Sequence, residues 1–166
     1  MIMTTVTTVT TVTTETTVVD ELRAGRAVTY FTNGVSMRPL LRTAETHVHI
    51  LPLSAEGAEA YLPQGIVLYV RPTGKLVLHR LIKQEGDVYY MRGDNTYGLE
   101  PIRREQMVGV VDTVWKKGRY IDVATDRRYL RYVRRRLKNY PARYFAYRAK
   151  NKLRRILRIG KKMGTK

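Results

Sequence analysis

Ser36 is the first residue of this sequence whose type and setting suggest chemistry. It stands in "TNGVSMRPLLR", residues 32–42, directly after the turn-forming pair Asn33-Gly34 and beside Met37, which looks exposed here. A serine held after such a turn has an exposed hydroxyl and a free backbone amide, which are a nucleophile and an oxyanion donor for acyl transfer. The alternative is an ordinary polar turn, because turns favour serine for structural reasons alone.

His79 is the candidate general base. In "KLVLHRLIK", residues 75–83, strand alternation puts Val77, His79 and Leu81 on one face. An imidazole there is either a core histidine with a satisfied hydrogen bond or a base, which would make activity rise through a pKa not far from ~6.5.

A carboxylate that could orient this base follows from the predicted hairpin. Strand 75–83 turns at "QEGD" and returns as 88–92. If Lys83 opposes Val88, His79 faces Arg92, and Asp94 becomes a diagonal neighbour of His79 on the same face. A one-residue slip or a bulge would remove this relation, because the face alternates with register.

Four segments, taken together, resemble the signal peptidase I and LexA-type serine peptidases. They are "GVSMRPLL", "VLHRLIK", "MRGDNTYGLEPI" and "MVGVV", and they occur in the order and near the spacing of that superfamily, over about residues 26 to 115. The histidine-using branch, the archaeal and endoplasmic-reticulum type of signal peptidase, is the most similar, because the other branches have a lysine where this chain has His79.

The resemblance implies a role for each matching position. Ser36 would be the nucleophile and His79 the general base, with Gly34 and Met37 at the oxyanion and substrate subsites. Asp94 occupies the Gly-Asp-Asn box, whereas the branch's catalytic acid lies a few residues later, where this chain has Glu100; the third member is therefore Asp94, Glu100 or both.

The resemblance also implies a fold and a substrate. The fold would be a small, coiled, mainly β domain, and the substrate an extended peptide bound by strand addition. We expect no cofactor and no metal, because His47 and His49 alternate as in a solvated strand face and lack a third ligand beside Glu45.

The predicted elements define three regions. Residues 1–16 form a Thr-Thr-Val repeat that we expect to be disordered or loosely extended, and a short helix opens the peptidase-like β domain of residues 17–125. The sequence pattern of residues 126–166 predicts two basic amphipathic helices, with a break between them near Pro141. The predicted strands are 27–32, 47–51, 65–71, 75–83, 87–92, 107–115 and 119–124.

The charge of the chain is concentrated at one end. From residue 116 onward there are 20 Lys and Arg and two acidic residues, whereas the first 115 residues hold 11 basic and 12 acidic groups. Residues 127–162 are therefore expected to bind an anionic membrane surface or a nucleic acid, and the apolar stripes favour the membrane. The alternative is that they form a solvated face that packs on the body through its apolar stripe.

The sequence contains no run of ~18 apolar residues, and its start lacks the basic and leucine-rich parts of a secretory signal. Signal peptidases of this type carry a spanning helix, usually N-terminal, where this chain has the Thr-rich repeat. We therefore expect a cytoplasmic protein, or one peripheral at the membrane, that cleaves signal peptides or the leader of a cytosolic peptide. The alternative is a non-catalytic or self-cleaving LexA-like domain whose basic tail binds nucleic acid.

Overall fold

The computed structural model describes the backbone of residues 10–11 and 15–163 and the side chains of residues 17–155. The helices are α1 (Glu15–Arg23), α2 (Arg127–Lys138) and α3 (Tyr140–Met163), with 3₁₀ turns at Ala58–Tyr61 and Arg104–Gln106. The strands are β1 (Thr10–Thr11), β2 (Val28–Phe31), β3 (Thr46–Pro52), β4 (Ile66–Val70), β5 (Leu76–Glu85), β6 (Val88–Arg92), β7 (Glu100–Arg103), β8 (Met107–Lys116) and β9 (Arg119–Asp122).

These nine strands of the described residues form one sheet in the order β1-β2-β3-β8-β4-β5-β6-β7, with β9 paired to β8. Every pair is antiparallel except β1 with β2. The predicted mainly β architecture, with a short N-terminal helix and C-terminal helices, is confirmed. All seven predicted strands are present, and β1 and β7 are additional.

Three irregularities bend the sheet at its centre. The register shifts between His49 and Ile50 where β3 meets β8, and between Leu68 and Tyr69 where β4 meets β8. A third shift, between Leu81 and Lys83, lies in the β5–β6 pair. Bulges of this kind kink a strand and increase its twist, so the long strands β5 and β8 coil rather than lie flat.

Alternating apolar residues place the core on the inner faces of these strands. In β3 the pattern is regular, with Val48 and Ile50 fully buried and the intervening histidines half-buried. Helix α1 adds Val18 and Leu22, both buried. Gly109 permits this packing, because a Cβ there would lie 2.6 Å from the Ile50 side chain and 3.2 Å from that of Leu22.

A row of aromatic rings crosses four strands on one face of the sheet. Phe31, His47, Trp115 and Tyr120 occupy directly paired positions on β2, β3, β8 and β9. Their successive ring centroids lie 5.2, 5.6 and 4.2 Å apart. Cross-strand aromatic pairs of this kind stabilise a sheet and fix its register.

The chain divides into two compact units, residues 1–130 and 131–166. Residues 127–130, the start of α2, belong to the first unit. Helices α2 and α3 are separated at Asn139, close to the predicted interruption. No helix among the described residues combines the length and apolarity needed to cross a bilayer.

Two short parts of the N-terminal 16 residues are described. Thr10 and Thr11 are extended and pair in parallel with Val28 and Thr29, and α1 begins at Glu15. Threonine is a good strand former because its side chain is β-branched. The rest of the predicted segment lies outside the described residues.

Candidate active site

Ser36 lies in the loop between β2 and β3, and the sequence of the loop explains its shape. Gly34 has φ of 91°, a left-handed conformation that glycine adopts without strain. The Asn33 side-chain oxygen accepts a hydrogen bond from the Gly34 amide at 2.8 Å, and Thr43 Oγ1 donates to the Gly34 carbonyl at 3.0 Å. The predicted turn at Asn33-Gly34 therefore sets the direction in which the chain enters Ser36.

The segment after β6 holds Ser36 from the other side. The Asn95 amide donates to the Ser36 carbonyl at 2.6 Å, and Asn95 Nδ2 donates to the Val35 carbonyl at 3.2 Å. Gly93 approaches so closely that an added Cβ would lie 2.7 Å from the Ser36 carbonyl oxygen. The Gly-Asp-Asn segment thus clamps the backbone of the candidate nucleophile.

These contacts leave the reactive groups of Ser36 unused. Within residues 17–155, neither the Ser36 hydroxyl nor its backbone amide has a hydrogen-bond partner. Ser36 is half-buried and lines a cleft with a volume of about 330 Å³. A free hydroxyl and a free amide on one residue are the two groups that acyl transfer requires of a nucleophile.

Met37 is not exposed, contrary to the expectation from the sequence. Only 4% of its surface is accessible, because its thioether packs against the Gly-Asp-Asn segment and Sδ accepts a long hydrogen bond from the Asp94 amide at 3.4 Å. Met37 nevertheless lines the cleft, as Gly34 does. It forms part of the wall of the cleft beside Ser36.

His79 lies on β5 opposite Val67 of β4, and it lines the same cleft as Ser36. Only 7% of its surface is accessible. Its Nδ1 lies 3.0 Å from the hydroxyl of Tyr69, which is two residues beyond Val67 on the same face of β4. No hydrogen bond joins His79 to Ser36 in the described part of the chain.

Tyr69 connects His79 to Glu100. Its hydroxyl donates to Glu100 Oε2 at 2.8 Å, whereas Nδ1 of His79 is 3.8 Å from that oxygen, which is too far for a direct hydrogen bond. Since the phenol has one proton and gives it to the carboxylate, it accepts from His79, and Nδ1 therefore carries the hydrogen. That tautomer leaves Nε2 with a free lone pair, as a general base requires.

Glu100 is fixed in turn by Arg71. Both Arg71 Nε and Nη2 donate to its carboxylate at 2.5 Å. This hydrogen bond from Arg71 lowers the pKa of Glu100 despite the opposing effect of burial, so the carboxylate stays ionised. Burial and the bond to Glu100 raise the pKa of Tyr69, so the phenol stays protonated.

Burial also determines the charge of His79. It lowers the pKa of the imidazole to about 4, and the nearby Glu100 carboxylate only partly offsets this. His79 is therefore neutral at pH 7. Activity is therefore no longer expected to rise through a pKa near ~6.5, because that value applies to a solvated imidazole.

Asp94 does not lie beside the imidazole as the predicted hairpin register required. Strand β5 continues to Glu85, which pairs with Val88, and the shift between Leu81 and Lys83 then places Arg80 opposite Arg92. The diagonal neighbour of Asp94 is consequently Arg80, one residue from the predicted partner.

Asp94 forms a buried ion pair instead. Arg80 Nε and Nη2 each donate to its carboxylate at 2.8 Å, and the Arg80 side chain is completely inaccessible. The remaining donor, Nη1, is satisfied by the Gln64 carbonyl at 2.7 Å and the Tyr129 hydroxyl at 3.1 Å. Of the two candidate acids, Glu100 is thus linked to His79 through Tyr69, and Asp94 anchors the clamp on Ser36.

Sequence reasoning missed Tyr69 and Arg71, although a signal for both was present. The turn Arg71–Lys75, closed by an Arg71 amide to Lys75 carbonyl bond at 2.9 Å, fixes the β4–β5 hairpin. From that turn the register puts Tyr69 diagonal to His79. The register of the β5–β6 hairpin alone places neither residue beside His79.

The other two histidines, His47 and His49, lie in different surroundings from His79. His49 Nδ1 lies 2.8 Å from Asp112 Oδ1, and His47 stacks on Trp115 in the aromatic row. Among the residues described, no group of three metal-ligating side chains occurs. No family model, no curated protein and no solved structure matches the chain.

Proposed function

We propose that this chain is a serine endopeptidase of the signal peptidase and LexA type, with a LexA-like coiled β fold, that cleaves the signal or leader segment of an extended peptide. One observation carries the proposal. A neutral histidine, linked through Tyr69 to an ionised Glu100, lines the same cleft as a serine whose hydroxyl and amide have no hydrogen-bond partner among residues 17–155.

The first step would be acylation of Ser36. Its hydroxyl oxygen attacks the scissile carbonyl while Nε2 of His79 takes the hydroxyl proton, and the backbone amide of Ser36 donates to the developing oxyanion. The C–N bond then breaks, and the proton on Nε2 passes to the leaving amine. Water hydrolyses the ester by the reverse use of the same base, which restores Ser36.

Tyr69 and Glu100 would stabilise His79 in its charged form during this step. When Nε2 gains a proton, the Tyr69 oxygen still accepts from Nδ1–H, and the carboxylate lies 3.8 Å from the new positive charge. The Ser36 hydroxyl and the His79 ring would come together when substrate closes the cleft. In many enzymes the catalytic contacts are long without ligand and shorten only in the complex.

The cleft suits a peptide with aliphatic side chains. Its walls include the apolar residues Leu41, Leu68, Leu76 and Leu78, and the end of β2 contributes Tyr30 and Thr32. A peptide laid in the cleft beside Tyr30 and Thr32, past the two residues of β2 that pair with β1, would bind in an extended conformation, with its side chains alternating between the cleft and solvent.

Labelling with a serine-reactive acylating probe tests the proposal, because the chain contains only two serines, Ser36 and Ser54. We expect one adduct on the wild-type protein, none on Ser36→Ala, and a normal adduct on the exposed-site control Ser54→Ala. His79→Ala should abolish labelling while leaving Ser36 in place. Equal labelling of Ser36→Ala and wild type would refute the proposal.

The rival functions give different results in the same preparation. A non-catalytic domain that binds nucleic acid would show no adduct and a steep salt dependence of affinity for duplex DNA. A self-cleaving domain would show a loss of intact mass on prolonged incubation at raised pH, which Ser36→Ala prevents.

A further inference from the structure

The C-terminal helices carry positive charge without compensation. Helices α2 and α3 contain 16 Lys and Arg over residues 127–163, and no acidic residue follows Asp126 in the sequence. A surface of one sign attracts a polyanion or an anionic bilayer and repels a copy of itself.

Helix α3 also has a continuous apolar stripe. At about 100° per residue, its apolar positions fall within roughly one third of the circumference. Two of them are highly accessible, with Phe145 66% and Leu153 57% exposed. The stripe comprises Ala142, Phe145, Ala146, Ala149 and Leu153.

Basic residues border the stripe on both sides. Lys150 and Arg154 follow one edge, and Arg148 and Lys152 follow the other. Long basic side chains in these positions can bury their methylene stems in an apolar medium and extend their charges into a polar headgroup layer. This arrangement, with cations beside an exposed aromatic and leucine face, matches an anionic lipid interface.

The other possible occupants fit less well. A second copy packed stripe to stripe would bring these cationic edges together, and α3 supplies no acid to pair with them. A nucleic acid would neutralise the cations but would leave the exposed Phe145 and Leu153 in water. A bilayer of anionic lipid satisfies both the charge and the stripe.

We propose that α3 binds an anionic membrane surface, lying parallel to it with the Phe145–Leu153 stripe inserted at the boundary between headgroups and acyl chains. The inference goes beyond the proposed peptidase activity and does not depend on it. It assigns to the tail the role of holding the first unit at a lipid surface.

The test is flotation of the full chain with vesicles of phosphatidylcholine and phosphatidylglycerol, with phosphatidylcholine vesicles alone for comparison. We expect binding to the anionic vesicles that weakens in high salt. Phe145→Ser/Leu153→Ser keeps every charge and should weaken that binding at least about tenfold, because each side chain loses its apolar burial. Tyr147→Ser, on the other side of the helix, is the matched control and should bind like wild type.

Two results would overturn the proposal. If the stripe variant bound anionic vesicles as tightly as wild type, the tail would act by charge alone, as it would on duplex DNA. If the stripe variant abolished a concentration-dependent dimer and left vesicle binding unchanged, the stripe would be a contact between two copies. Ser36 labelling and circular dichroism of each variant show that the fold is retained.

Discussion

Replacing Tyr69 by Phe removes one oxygen from the link between His79 and Glu100 and leaves the ring in place. The hydroxyl accepts from Nδ1 at 3.0 Å and donates to Oε2 at 2.8 Å, so its loss leaves a buried imidazole N–H without an acceptor. An unpaired buried donor costs about 1–3 kcal/mol, and bonds to a charged partner lie toward the upper end.

That cost falls on the transition state, in which His79 becomes positively charged. We expect the second-order rate of Ser36 acylation to fall by about 10- to 150-fold, which corresponds to about 1.4–3 kcal/mol, the upper part of that range. The free energy of unfolding should fall by only about 1–2 kcal/mol, since Glu100 keeps both bonds from Arg71.

The assay is the pseudo-first-order rate of probe adduct formation, followed by intact mass at pH 7. Tyr61→Phe is the matched control, because Tyr61 packs against the core cluster that contains Tyr69 and makes no hydrogen bond to His79 within residues 17–155. It should label at the wild-type rate.

A double variant makes the test sharper. If Tyr69 and Glu100 act as one unit on His79, Tyr69→Phe/Glu100→Gln should be little slower than either single variant. Wild-type rates in Tyr69→Phe, or losses that simply add, would refute the relay from Glu100 through Tyr69 to His79.

The remaining predictions concern pH and the clamp on Ser36. Burial lowers the pKa of His79 to about 4, so the base is neutral above that pH and protonated below it. The acylation rate should therefore be nearly constant from pH 6 to 8 and fall below about pH 5. A rise in rate centred near pH ~6.5 would contradict the burial of the ring. Gly93→Ala should slow acylation about 10- to 100-fold, because its Cβ would lie 2.7 Å from the Ser36 carbonyl oxygen and must displace the nucleophile loop. Gly98→Ala meets no atom within 4 Å and serves as its control, and equal rates in the two variants would show that the clamp does not position Ser36.

The strands could be predicted because each carries apolar residues on at least one face and residues that favour turns separate them. Strand β7 was missed because "EPIR" contains a proline, which argues against a central strand. Pro101 is tolerated because β7 ends the sheet and pairs on one side only, with β6. Sequence patterns do not show which strand will occupy an edge.

The site could be predicted only as far as residue types and local turns determine it. Ser36, His79 and Glu100 were found as candidates, but the assignment of Asp94 to His79 depended on a register that one bulge changes. In "LHRLIKQE" the apolar pair Leu81-Ile82 interrupts the alternation, but such a pair does not by itself locate a bulge or give its effect on register. The partner of a charged residue across a sheet is therefore the least predictable part of such a site.

The aromatic row contains the only tryptophan of the chain. Trp115 lies between His47 of β3 and Tyr120 of β9, and the second unit contains no tryptophan. Its intrinsic fluorescence is therefore a built-in reporter of the sheet alone. Paired with far-ultraviolet dichroism, which is dominated by the helices, it lets a single melting experiment distinguish unfolding of the sheet from unfolding of the C-terminal helices.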